Sequence, residues 1–171
     1  MSSNLFHTPQ PEDFPSIINA VIEIPKGTNV KYEYDHIEGH FVYDRSLLSP
    51  MVYPSSYGFI PQTIGPDNDP LDVLIYNNTP IDRATVVESR VIGYLDMEDE
   101  GDKDYKILAI PTSHIRNHKD IKDIDPLFLK LCKNFFSHYK DLSKKKVEVF
   151  GWHNAESARN IIRESFISTN N

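Results

Sequence analysis

The longest strand that the sequence predicts runs from Thr85 to Met97, where β-branched and other apolar residues dominate. Gly93 lies inside this segment and is expected to mark a β-bulge, because a glycine weakens the interior of a regular strand. Tyr105–Pro111 has the composition of an antiparallel partner strand, and a connector rich in aspartate and glutamate separates the two. The chain is therefore predicted to fold around a β-sheet.

Shorter segments and two late helices complete the predicted fold. Further strands are expected at residues 17–24, 31–35, 40–45, 73–76 and 147–152. Pro126–Tyr139 repeats apolar residues at helical spacing, namely Phe128, Leu131, Cys132, Phe135, Phe136 and Tyr139. Asn154 can cap a second helix, whose inner face would carry Ala155, Ala158, Ile162 and Phe166. Many short strands with two helices favour a mainly β (α+β) fold, a small β-barrel with helices packed against it.

Length and composition limit the class of protein. A chain of 171 residues is expected to form one domain, spanning residues 1–171, with a sizeable core. No apolar run approaches the roughly 20 residues that cross a membrane, and the N-terminal residues do not resemble a signal peptide. Cys132 is the single cysteine, so no internal disulfide can form. Together these features predict a cytoplasmic protein with no membrane partner.

The net charge of −7 argues against nucleic acid as a partner, because a phosphate backbone calls for a basic surface. An anionic substrate remains compatible with this charge if metal ions accompany it. Two acidic segments of the sequence make that combination plausible.

The first acidic segment is Asp67-Asn68-Asp69-Pro70-Leu71-Asp72-Val73. In an extended chain, Asp67 and Asp69 would project from the same face, and Asp72 could turn toward the same small volume. Carboxylates this close repel one another unless a positive charge lies between them, and oxygen ligands suit Mg²⁺ or Ca²⁺. The alternative is a solvated turn that caps its own backbone.

The second acidic segment runs from Asp96 to Asp104. It does not match a helix-loop-helix calcium loop, because Glu98 and Glu100 are too long for their positions and Ile107 stands where a glutamate is required. A solvated hairpin tip is the alternative to a ligand-binding role.

Basic and phenolic residues lie close to these acids in the sequence. They are Lys31, Arg45, Tyr53, Tyr57, Lys106, Tyr139 and Lys140. Single pairs of this kind are usually surface contacts of little consequence. As a set, with Mg²⁺ between the carboxylates, they describe a pocket that could hold a polyphosphate from two directions. A metal-binding barrel without catalysis and an OB-like binder of single-stranded nucleic acid, stacking bases on Tyr53 and Tyr57, are the alternatives.

The order of these motifs resembles the soluble family I inorganic pyrophosphatases of the bacterial type. The resemblance covers nearly the whole chain and extends from Val21-Ile22-Glu23-Ile24-Pro25 through Lys31-Tyr32-Glu33-Tyr34-Asp35, Asp44-Arg45, Tyr53-Pro54, Tyr57-Gly58, Asp67–Val73, Asp99–Lys106 and His138-Tyr139-Lys140-Asp141 to Gly151-Trp152. Asn68 stands where glycine is frequent in the family, a variation that a turn tolerates. The resemblance implies an OB-like five-stranded β-barrel with two flanking helices, Mg²⁺-dependent hydrolysis of pyrophosphate and assembly into a hexamer.

The same resemblance implies roles for individual residues. The metal ligands would be Asp67, Asp72, Asp99 and Asp104, with Glu23 and Glu33 in supporting or additional metal roles. Asp69 would be the general base that deprotonates a water bridging two metals. The groups that bind phosphate would be Lys31, Arg45, Tyr57, Lys106, Tyr139 and Lys140, of which Lys31, Arg45 and Tyr57 also count as catalytic. Tyr53 and Glu100 would form a second tier behind them.

Overall fold

The computed structural model describes residues 3–114 and 117–168, so the ends of the predicted domain lie outside the described part. Nine strands and two α-helices occur in these ranges. The strands are β1 (Ile17–Ile24), β2 (Val30–Asp35), β3 (His40–Ser46), β4 (Ser56–Phe59), β5 (Asp72–Ile75), β6 (Val86–Asp99), β7 (Asp102–Lys103), β8 (Lys106–Pro111) and β9 (Val147–Asn154). The helices are α1 (Pro126–His138) and α2 (Ala155–Ser165). None of the helices in these ranges is long and apolar enough to cross a bilayer.

Five strands close into a ring. β1 pairs with β4, β4 with β5, β5 with β8, β8 with β6, and β6 returns to β1. Only the β5–β8 pair in this ring is parallel. β7 and β9 extend the sheet from β6, while β2 and β3 form a separate two-stranded sheet. The predicted mainly β fold, with five strands in a closed arrangement and two helices, is confirmed.

The two helices cover different faces of the ring because side chains alternate along each strand. On β8, Leu108 packs in the apolar cluster that includes Cys132 and Phe135 of α1. Its neighbour Ile107 packs in the cluster that includes Ala158 and Ile162 of α2. Both faces of this central strand are therefore buried, which explains the apolar sequence from Ile107 to Pro111.

Local sequence signals account for several details of these elements. Asn154 caps α2 as predicted, since its side chain accepts a hydrogen bond from the backbone N–H of Ser157 at 2.9 Å. The predicted bulge at Gly93 is confirmed, because the β6–β8 register shifts between Val91 and Gly93. A Cβ at Gly93 would lie 2.4 Å from the carbonyl oxygen of His153, so β9 can approach β6 closely only at a glycine.

One expectation about local structure, the placement of Phe166, was wrong, and two further features were not predicted. Leu131 is 51% exposed, although it fits the helical spacing of α1, because the buried stripe of that helix is narrower than the pattern suggested. Phe166 lies just after α2, is 39% exposed and contacts the ring of Phe14 instead of the inner face. Strand β4 was missed, since Ser56–Phe59 is short and contains Gly58, which reads as a turn signal.

Candidate active site

A cavity of about 210 Å³ opens between the ring and the separate β2–β3 hairpin. Its walls come from β1, β2, the segments around β4 and β5, the β6–β8 connection and the end of α1. The predicted site residues that line it are Glu23, Lys31, Glu33, Tyr57, Asp67, Asp69, Asp72, Asp99, Asp104, Lys106, Tyr139 and Lys140. Tyr53 lines it as well, whereas Arg45 and Glu100 do not. Residues from distant parts of the chain thus meet in one polar cavity.

The Asp67–Asp69 segment is a turn and not the extended chain that was expected. Asn68 has a φ of 65°, a left-handed conformation that asparagine tolerates, and its N–H donates to the Gly65 carbonyl oxygen at 3.1 Å. The Asp67 carboxylate accepts a hydrogen bond from the Asp69 N–H at 3.1 Å. The turn therefore caps its own backbone, yet both carboxylates still line the cavity. Partial burial there raises the pKa of Asp67 and of Asp69 above the ordinary aspartate value.

Lys106 lies at the centre of the cavity floor. The parallel β5–β8 register places it directly opposite Asp72. Its ammonium nitrogen is 2.7 Å from Asp72 Oδ2, 2.9 Å from Asp104 Oδ2 and 3.0 Å from the Tyr57 hydroxyl. The positive charge that the clustered carboxylates of Asp72 and Asp104 require is thus supplied by a lysine whose side chain is 3% exposed.

The charges in this cluster shift one another's pKa values. Burial opposes charge on Lys106, but the carboxylates of Asp104 and Asp72 outweigh it and hold the pKa of Lys106 well above its usual range. Burial raises the pKa of Asp72. Burial also tends to raise the pKa of Asp104, but the Lys106 ammonium has the opposite effect and the pKa of Asp104 is lowered. Burial also raises the pKa of the Tyr57 hydroxyl, which therefore stays protonated at neutral pH and can donate a hydrogen bond.

The end of β6 and the end of α1 form the next wall. The Lys140 ammonium pairs with Asp99 Oδ2. The other oxygen, Asp99 Oδ1, is buried and has no hydrogen-bond partner among the described residues. A buried carboxylate oxygen without a partner is costly, and a cation would satisfy it. Tyr139 precedes Lys140, and burial raises the pKa of its hydroxyl.

The hairpin wall carries Lys31, which forms ion pairs with Glu33 at 2.6 Å and with Asp44 at 3.1 Å. Burial tends to lower the pKa of Lys31, but the Glu33 carboxylate has the larger combined effect and the pKa rises. Arg45 lies opposite Lys31 in the β2–β3 ladder. The ladder register shifts between Lys31 and Tyr32, so Asp44 is the additional residue of a bulge in β3, and this irregularity lets its carboxylate reach Lys31. The neighbouring Arg45 does not line the cavity.

Glu23 of β1 links the ring to the β2–β3 hairpin. It is 7% exposed, and its Oε2 accepts a hydrogen bond from the Tyr34 backbone N–H at 2.7 Å. Burial, assisted by the negative charge of Asp72, raises the pKa of Glu23 to about 8. A carboxyl group in this setting ionises readily at neutral pH only when a cation lies near it.

Some lining residues were not singled out from the sequence. Tyr32 and Tyr34 could have been found, because they alternate with charged residues in a segment already assigned to the site. Phe59 and Phe136 carried no such signal, since each lies in an apolar stretch that predicts core packing.

The donor atoms around the cavity fit a hard cation. All the carboxylate ligands offer oxygen, with no histidine or cysteine among the lining residues, and oxygen donors suit Mg²⁺ or Ca²⁺. Within the described ranges, no three acidic, histidine or cysteine side chains converge closely enough to be a ready-made metal site. The ammonium groups of Lys106 and Lys140 explain this, because they contact the same carboxylates that a cation would use.

Comparison with known proteins identifies the family of this chain. The family model for inorganic pyrophosphatase matches residues 20–170. The chain belongs to the inorganic pyrophosphatase family. The resemblance seen in the sequence is thereby confirmed.

Individual members of the inorganic pyrophosphatase family match over most of their length. The protein named inorganic pyrophosphatase from Halalkalibacterium halodurans is 44% identical over 155 residues, covering 89% of this chain and 94% of that protein. A relative of the same name from Sulfolobus acidocaldarius is 44% identical over 154 residues, covering 87% and 89% respectively. The crystal structure of inorganic pyrophosphatase from Thermus thermophilus superposes with a TM-score of 0.90 at 36% identity, covering 95% of this chain and 97% of that one.

Proposed function

We propose that this protein hydrolyses inorganic pyrophosphate to two orthophosphate ions in a reaction that depends on Mg²⁺. Membership of the inorganic pyrophosphatase family supports the substrate. The observation that carries the proposal is the cavity, in which seven carboxylates face three ammonium groups and five tyrosine side chains. Carboxylates alone would repel a pyrophosphate ion, and ammonium groups alone would not hold its accompanying cations. The combination suits a metal–pyrophosphate complex.

Asp67, Asp72, Asp99 and Asp104 are the residues that would hold Mg²⁺, with Glu23 and Glu33 in supporting positions. The free Oδ1 of Asp99 and the raised pKa values of Asp72 and Glu23 support this assignment, since a cation would stabilise the charged form of each group. When bound, Mg²⁺ neutralises charge on the pyrophosphate oxygens and lowers the pKa of water.

The cationic and phenolic side chains would bind and align the two phosphoryl groups. Lys31, Lys140 and Tyr139 lie on two walls of the cavity, and Lys106 with Tyr57 lies on its floor. Fixed donors of this kind hold the leaving group in line and stabilise the charge that develops on its oxygens. Arg45 is assigned with them from the family resemblance, although its side chain does not line the cavity.

Asp69 would accept the proton of the attacking water. Its carboxylate lines the cavity at the solvent-exposed turn and, unlike Asp72 and Asp104, it has no contact with Lys106 within hydrogen-bond distance. A carboxylate that is not already neutralised by an ammonium group is the better proton acceptor. Partial burial raises its pKa, which strengthens it further as a base.

The test is release of phosphate from pyrophosphate by the purified protein, measured with Mg²⁺, with Ca²⁺ and with the metals chelated. Release that requires Mg²⁺ and stops on chelation is expected. Circular dichroism in each condition would confirm that the protein remains folded. Absence of release from folded, Mg²⁺-loaded protein would contradict the proposal and favour a metal-binding protein without catalysis.

Assembly and compartment form part of the same proposal. We expect a hexamer from the family resemblance, and a cytoplasmic location because the single cysteine, Cys132, can form no internal disulfide. Large apolar side chains exposed on the single chain, including Leu127 and Leu131 of α1, are consistent with a surface that another copy covers. Light scattering is expected to give about six times the chain mass of 19.7 kDa, and a monomer would contradict this expectation.

A further inference from the structure

Arg83 lies in the connection between β5 and β6, outside the cavity, and contacts two of its walls. The carbon at the centre of its guanidinium group is 3.4 Å from the centroid of the Tyr32 ring. Its Nε donates a hydrogen bond to the Glu23 carbonyl oxygen at 3.1 Å. Both Tyr32 and Glu23 line the cavity. One side chain therefore connects the hairpin wall with the ring wall.

The backbone that carries Arg83 is fixed on β1. Ala84 donates to the Ile22 carbonyl oxygen at 2.9 Å, and the Ile22 N–H donates to the Thr85 carbonyl oxygen at 3.0 Å. These two bonds hold the connection beside the residue that precedes Glu23. The position of the guanidinium group is thus set by backbone hydrogen bonds and not only by its own side-chain contacts.

Glu23 lies at an irregularity of β1. The β1–β4 register shifts between Ile22 and Ile24, so Glu23 is the additional residue of a bulge. Bulges redirect side chains near active sites, and this one directs the Glu23 carboxylate toward the Tyr34 N–H of the hairpin. The Arg83 hydrogen bond supplies a partner for the carbonyl oxygen at this bulge.

The hairpin depends on contacts of this kind for its position. β2 and β3 pair with each other and form a sheet separate from the ring. The Glu23–Tyr34 hydrogen bond and the stacking of Tyr34 on Phe59, with centroids 5.1 Å apart, join it to the ring on one side. Arg83 stacks on Tyr32, whose edge also meets Tyr43 of β3. Lys31 is carried on the same strand, adjacent to Tyr32.

We propose that Arg83 is a positioning residue of the pyrophosphatase site, holding the β2–β3 hairpin against the Glu23 bulge so that Lys31 faces the cavity. The inference rests on the proposed function, since Lys31 matters only if the cavity binds pyrophosphate. Without Arg83 the hairpin occupies its binding-competent position for a smaller fraction of the time. The apparent affinity for substrate falls by that fraction, while turnover at saturation is retained.

Arg83→Ala is therefore expected to raise KM for magnesium pyrophosphate by about 5- to 50-fold, the combined size of one cation–π contact and one hydrogen bond, with kcat changed less than about twofold. Arg83→Lys keeps the charge but loses the planar stacking and the Nε donor, so it is expected to behave like the alanine variant. Arg163→Ala is the matched control, because Arg163 is exposed on α2 and its guanidinium group donates to the nearby Asn160 side chain. It is expected to keep the wild-type KM.

A cycle with Lys31→Ala separates positioning from loss of stability. In the Lys31→Ala protein, Arg83→Ala is expected to raise KM less than about twofold, because the group that it positions is gone. Thermal unfolding of Arg83→Ala, Tyr32→Leu and the double variant measures their coupling without any turnover, and a non-additive shift in Tm is expected.

An unchanged KM in Arg83→Ala, full rescue by Arg83→Lys, an undiminished effect in the Lys31→Ala background or additive shifts in Tm would each overturn the positioning role. If the wild-type protein released no phosphate, the proposed function would fail and the positioning role with it. Normal wild-type activity combined with an unchanged KM in Arg83→Ala would overturn the positioning role alone.

Discussion

The buried carboxyl of Glu23 makes the stability of the metal-free protein depend on pH. In the folded protein the pKa of Glu23 is about 8, because burial and the charge of Asp72 both disfavour its ionised form, against 4.5 for an unperturbed glutamate. Between these two values the folded state holds a proton that the unfolded chain has released. Rising pH therefore favours the unfolded state across this window, and the loss is complete above about pH 8.

The magnitude follows from the same two values. Each pH unit inside the window costs at most about 1.4 kcal/mol of unfolding free energy, so an increase from pH 5.5 to 7.5 would cost roughly 2 to 3 kcal/mol through Glu23 alone. Glu23→Gln removes the titration but keeps an oxygen that can accept the Tyr34 N–H. The variant is expected to lose this part of the pH dependence and to be the more stable protein, relative to wild type, at the upper end of the range.

Urea unfolding at pH 5.5, 6.5 and 7.5, in excess chelator and at fixed protein concentration, measures the effect. Glu12→Gln is the matched control, because it makes the same glutamate-to-glutamine change at an exposed residue and leaves the buried groups unaltered. Added Mg²⁺ is expected to reduce the wild-type dependence, since a bound cation stabilises the charged carboxylate. Identical pH dependence in the wild-type and Glu23→Gln proteins would refute the reasoning.

Two further predictions concern the proposed base and the closure of the ring. Asp69→Asn is expected to lower kcat by about 10²- to 10⁴-fold, the usual contribution of a general base, with Mg²⁺ affinity by calorimetry nearly unchanged. Asp13→Asn should be neutral, because Asp13 is exposed and does not line the cavity. Equal losses of turnover and metal affinity would argue against the base assignment. Gly58→Ala places a Cβ 1.8 Å from the Val21 carbonyl oxygen and is expected to cost about 3 kcal/mol or more, measured by thermal unfolding. Gly27→Ala, at a φ of 88° but in open space, should cost only about 1 to 2 kcal/mol, and an equal cost in both variants would contradict the steric argument.

Features that depend on neighbouring residues in the chain were predictable from the sequence. The strand at Ile17–Ile24, the bulge at Gly93 and the cap at Asn154 occur where local composition placed them. Strand pairing between the predicted long segment and Tyr105–Pro111 was also found, because strands that follow each other closely in the chain usually pair. The exposed Leu131 shows the limit of such reasoning, since periodicity identifies a helix but not the width of its buried stripe.

The residue types of the candidate site could also be identified from the sequence, mainly through the order of the motifs. The arrangement of these residues in space could not be identified in this way. The geometry of the Asp67–Asp69 turn depends on a left-handed residue at Asn68, and the placement of Asp44 and Arg45 beside Lys31 depends on a bulge in the β2–β3 ladder. Each of these is decided by backbone conformation and packing, which composition does not specify.

The sequence by itself determined most of the strands, the two helices and the set of oxygen, ammonium and hydroxyl groups available for chemistry. The tertiary structure alone decided which of those groups meet. Lys106 contacts Asp72 because β5 and β8 lie parallel in a closed ring, a pairing between segments 34 residues apart. The physical reason is that propensities and capping act within a few residues of the chain, whereas charge pairing and burial depend on which distant segments close the ring.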